Sequence, residues 1–145
     1  MIGVSSDFVL LCVSPDEVEG VEYITKKYVV RYLSGYIPKK RRRQLVSVPM
    51  RDELFFIHVS SKGKRAVLWT GPGRPGYKSI LGFFGLGPRK IKKLSKEELT
   101  RIVKGVARKH GGLCFFVRKS CVSYDDDMGC LFIMIFDVTT PQKNR

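Results

Sequence analysis

Few residues of this chain are suited to covalent or proton-transfer chemistry, and their spacing limits what they can do. The only carboxylate cluster is Asp125, Asp126 and Asp127. Three adjacent acids suit a Mg²⁺ site for phosphoryl transfer or nuclease work. Neighbouring side chains splay apart, however, and the run continues into Met128-Gly129, as a solvated hairpin loop does. The two histidines, His58 and His110, fall in a strand-like run and on an apolar helix face, positions that favour packing over catalysis. The four cysteines (Cys12, Cys114, Cys121, Cys130) show no Cys-x-x-Cys spacing, so a zinc site would need non-local assembly. Cys12, Cys114 and Cys130 lie in apolar runs, where reduced buried thiols are expected. Gly71-x-Gly73-x-x-Gly76 has the spacing of a dinucleotide loop, but Pro72 and Pro75 interrupt it. No acid follows some twenty residues on. Gly82 to Lys90 lacks the Gly-Lys-Ser/Thr ending of a phosphate loop. No catalytic residue, metal ligand or cofactor is therefore expected, and no small-molecule substrate. A metal-dependent nuclease built on Asp125–Asp127 is the weakest alternative.

Binding chemistry is better represented. The chain has 27 Lys+Arg against 13 Asp+Glu, a net charge of +14 over 145 residues. Such a balance points to partners bearing phosphate, whether nucleic acid or acidic membrane. The charge is segregated: residues 1–25 hold five acids and no Lys or Arg, whereas 26–51 and 62–93 each hold nine cations and no acids. Three cationic groups stand out. Lys39, Lys40, Arg41, Arg42 and Arg43 form an unbroken run after Pro38. Arg89, Lys90, Lys92 and Lys93 form a second group, and Arg101, Lys104 and Arg108 a third. Arg74 and Lys78 lie between, among aromatics (Trp69, Tyr77, Phe83, Phe84). Aromatics interleaved with cations suit base stacking alongside phosphate contacts. Ile80-Leu81-Gly82-Phe83-Phe84 followed by Arg89–Lys93 equally suits insertion into an acidic bilayer. The residues leave open whether Phe83 and Phe84 fill a core or face a partner.

These groups must be carried by elements. Phe8–Val13 reads as a strand, and Ser14-Pro15-Asp16-Glu17 as a helix start with a capping box. Val18, Val21, Ile24, Tyr28, Val29, Tyr32 and Leu33 share a helical face, which favours a helix here, although Gly20 and the β-prone Tyr23-Ile24-Thr25 argue for strand. Gln44–Val48, Glu53–Val59 and Lys64–Thr70 read as strands, the last two as a hairpin around Gly63. Ser95-x-x-Glu98 caps a helix whose apolar face is Leu99, Ile102, Val103, Val106 and His110, with Arg101, Lys104 and Arg108 opposite. Leu113–Arg118 and Cys130–Val138 complete the strands, the second apolar on both faces and so expected at the centre of the sheet. The expected architecture is a single α+β domain over residues 1–138, with a mainly antiparallel sheet of five or six strands, two helices and a flexible tail at 139–145.

One stretch resembles a known family. Arg74-Pro75-x-Tyr77-Lys78-x-Ile80-Leu81-x-Phe83-x-Gly85, with Trp69 just ahead, is similar to a segment of rhabdovirus matrix proteins once a residue is inserted near Ser79. The resemblance is confined to residues 69–85. It implies a protein of the virion that bridges a ribonucleoprotein to the inner membrane face and self-associates. Together with the residues, it makes a matrix-like binder of RNA and acidic lipid the first expectation, and an RNA- or DNA-binding module without membrane role the second. The short, unflanked apolar run near the start and the lack of a run of about 18 apolar residues predict an intracellular protein.

Overall fold

The computed structural model describes residues 8–25, 53–61, 63–125 and 130–141. Lys39–Arg43, the expected strand at 44–48, residues 126–129 and 142–145 lie outside them. Six strands form one mixed sheet, β1 (Phe8–Val13), β2 (Val18–Thr25), β3 (Glu53–Ser61), β4 (Lys64–Thr70), β5 (Leu113–Asp125) and β6 (Cys130–Thr139). Their spatial order is β1-β5-β6-β4-β3-β2. All neighbours are antiparallel except β4 and β6, which run parallel. Three helices join β4 to β5: α1 (Tyr77–Phe83), α2 (Pro88–Ile91) and α3 (Lys96–His110). The α+β class holds, and β6 is a central strand, as its two apolar faces require.

Over residues 18–25 the expected helix is replaced by a strand, and the rest of its expected face (Tyr28, Val29, Tyr32 and Leu33) lies outside the described residues. Pro15–Glu17 makes only one 3-10 turn, closed by the Glu17 N–H donating to the Ser14 carbonyl (3.0 Å) and the Ser14 N–H donating to the Glu17 carboxylate (2.7 Å). Val18–Thr25 then pairs with β3, with a bulge between Val18 and Gly20. The bulge changes strand parity by one residue. Val18 and Val21 therefore both reach the core from a strand, at a spacing that otherwise marks a helix.

One hydrophobic layer holds the helices to the sheet. Phe55, Ile57, Leu68, Phe115, Ile133 and Ile135 face Ile80, Leu81, Leu86, Ile91, Leu99 and Val103. Side chains alternate along a strand, so Val67 and Trp69 point to the opposite face from Ala66 and Leu68. The outer side of β2 is closed by α3: the Val21 N–H donates to Thr100 Oγ1 (3.0 Å), whose own hydroxyl donates to the Lys96 carbonyl (2.7 Å). The opposite border, β1, carries Val9 and Leu10, which with Phe116 on β5 are the exposed large apolar residues among those described.

Cys12 and Cys114 are directly paired in register between β1 and β5 and form a disulfide, with their Cα atoms 4.0 Å apart. This corrects the expectation of reduced thiols at both positions. Cross-strand register brought together residues 102 apart in sequence.

Candidate nucleic-acid interface

The cations expected to meet a partner are placed by the helices. Within residues 71–112 the sequence has eleven Lys and Arg against two Glu. Ser95 and Glu98 form a reciprocal cap that starts α3: the Glu98 N–H donates to Ser95 Oγ and the Ser95 N–H to the Glu98 carboxylate, both at 3.1 Å. Leu99, Val103 and Ala107 then face inward. Arg101, Arg108 and Lys109 are exposed and Lys104 is half-buried. In α2, Pro88 at the first position sets the helix and Ile91 anchors it, leaving Arg89 and Lys90 exposed, as is Lys93 just past its end. In α1, Tyr77, Ile80 and Leu81 face the core and Lys78 faces out. α3 packs on β2 and α1 on β6, so the cationic layer spans most of the sheet's width. Lys78, Arg89, Lys90, Lys93, Arg101, Lys104, Arg108 and Lys109 make no ion pair among the described residues.

Other expected contacts have structural work. Lys92 Nζ lies 2.9 Å from the Glu53 carboxylate and Lys96 Nζ 2.8 Å from that of Glu22, so both tie the helical layer to strands. Burial alone would raise the Glu53 pKa, but the Tyr23 hydroxyl and the Lys92 ammonium outweigh it and leave the carboxyl below its ordinary value. The Tyr23 hydroxyl is near Glu53 without a well-formed hydrogen bond, and burial first, then that carboxylate, drives its own pKa upward. Tyr77, also buried and near Glu53, is pushed up to about 12. Arg74 lies over the Trp69 indole, 5.5 Å from the ring centroid, in a half-buried position.

The aromatic and apolar set is mostly internal. Trp69, Tyr77, Ile80, Leu81 and Phe84 are buried. Phe83 is half-buried against the core, edge-to-face with Phe84 (5.2 Å) and 6.1 Å from the His110 ring. Tyr77, Ile80, Leu81 and Phe84 follow the i, i+3, i+4, i+7 spacing of one helical face. That spacing was the signal for their burial, and the surrounding glycines and prolines obscured it. Lys109, absent from the expected set, joins Arg108 at the end of α3. Its place in the last helical turn, beside the expected ridge, was the available sign. The chain matches no family model, and no curated protein or solved structure matches it.

Proposed function

We propose that the chain is a non-enzymatic module that binds RNA, free or in a ribonucleoprotein, through phosphate contacts from the outer side of the helical layer. The observation that carries this is the set of eight exposed or half-buried cations on α1–α3 and the turn before α3 that lack an ion pair among the described residues. A polyanion supplies the missing counter-charges and releases its own condensed ions, a favourable term that needs no particular base sequence. Aromatic stacking contributes little, because Trp69, Tyr77 and Phe84 are inside. Bilayer insertion through Ile80, Leu81 and Phe84 would require α1 to leave the core, so any acidic membrane contact is electrostatic. Lys39–Arg43 add a further cationic run to the sequence that a polyanion can meet.

Binding of labelled single-stranded RNA across a salt series tests the proposal. Each phosphate contact contributes about −0.7 to the slope of log K against log salt. Replacing Arg101, Lys104 and Arg108 together by Ala is expected to flatten that slope by about 2 and to weaken binding regardless of base sequence. An unchanged slope and affinity would overturn the assignment of this face. Flotation with acidic vesicles, run in parallel, separates lipid from RNA: salt-resistant recovery lost in Phe83→Ser would restore the membrane role.

A further inference from the structure

We propose that the β1 edge is a self-association surface, where a second copy of this chain adds its own β1 antiparallel across a two-fold axis. The two borders of the sheet are built differently. At β2, α3 and the Thr100 hydroxyl occupy the outer side. At β1, Phe8-Val-Leu-Leu-Cys-Val13 is entirely apolar, with no Pro, no Lys and no bulge among its pairings with β5. Sheet borders are ordinarily guarded by such features. The exposed large apolar residues among those described also gather here: Val9 (37%), Leu10 (50%) and Phe116 (37%). Leu10 and Phe116 are register partners on one face, beside Phe8, whose ring meets Phe136 edge-to-face at 5.5 Å.

Charge selects the occupant. Two copies of a +14 chain repel each other across most of their surfaces. The β1 strand is an exception, since Phe8–Val13 holds no charged residue. A two-fold through β1 therefore sets no charged side chain of residues 8–13 against its copy. It also joins the Leu10–Phe116 pairs of both copies into one apolar patch. A single strand pair covers less than the roughly 1,200 Å² of a stable interface, so the dimer is weak and concentration-dependent.

The geometry has a consequence for binding. Antiparallel strands related by a two-fold belong to one continuous sheet whose axis is normal to it. The helical layers of both copies then lie on the same side, and their cations face the same way. A long polyanion would meet two such faces at once, with the avidity of a bivalent contact. The dimer itself rests on β1 and not on the polyanion reading.

Sedimentation of the full chain from about 5 μM to about 0.5 mM, at about 0.5 M salt to screen repulsion, tests it. A monomer–dimer equilibrium is expected, shifted to monomer in Leu10→Lys and in Val9→Lys. Hydrogen exchange of the Phe8–Val13 segment of the wild type is expected to slow as concentration rises. That readout decides the matter even if neither variant folds. A monomer throughout, exchange in β1 that ignores concentration, a dimer that survives in folded Leu10→Lys, or species larger than a dimer would each overturn the proposal.

Discussion

Replacing Gly76 by Ala tests how the turn carrying Arg74 and Lys78 is fixed to the sheet. Gly76 precedes α1 with φ +78°, and its carbonyl accepts the Ile80 N–H at 2.8 Å. A Cβ there would press on the Phe136 carbonyl oxygen and lie 2.8 Å from its carbon, so α1 or β6 must move. The left-handed backbone costs an L residue about 1–2 kcal/mol, and forcing the two elements apart adds about 1–3 kcal/mol. The expected loss is about 3–4 kcal/mol, a shift of about 2 M in the urea midpoint. Two further replacements separate the causes. Gly85 has φ +69° and open space around its Cβ position, so Gly85→Ala carries the backbone cost alone, about 1–2 kcal/mol. Gly105 lies within α3 with open space, and Gly105→Ala is expected to stabilise by up to about 1 kcal/mol. Equilibrium urea unfolding with an unchanged m-value measures all three. A Gly76→Ala loss no larger than that of Gly85→Ala would refute the contact between this turn and β6.

The Cys12–Cys114 bridge closes a separation of 102 residues, which in the chain-entropy description corresponds to about 4–5 kcal/mol. Cys12→Ser is therefore expected to lower the urea midpoint sharply, and reduction of the wild type to do the same. Alkylation of Cys12 in the folded, unreduced protein would show that the bridge is absent. Burial holds the His58 imidazole below its ordinary range. In that case the unfolded chain binds the proton more readily. The contribution is intact above the unfolded value near 6.5 and is lost as pH falls toward the folded one. His58→Gln is expected to flatten this acid limb of the stability profile, and an unaltered limb would contradict it.

Features that depend on local pattern are legible along the chain. The Ser95–Glu98 cap and the apolar spacing to Val106 specify α3 and, with it, the outward ridge of Arg101, Lys104 and Arg108. The Gly63 turn between two β-prone runs specifies β3 and β4, and apolar residues on both parities mark β6 as central. Other features depended on contacts between distant residues. The bulge at Val18–Gly20 lets a strand carry three-residue spacing, so the local pattern there imitated a helix. Whether Phe84 faced in or out was set by the β3 and α1 surfaces closing over it. Its ring lies 6.3 Å from that of Phe55. Lys92 and Lys96 look like their neighbours in sequence, yet Glu53 and Glu22 claim them only once the helices dock. The cysteine pair required the register of β1 on β5. Helical periodicity and capping act within a few residues and can be read along the chain. Strand register, ion pairing and burial are set by which segments meet, and that was decided by the tertiary structure.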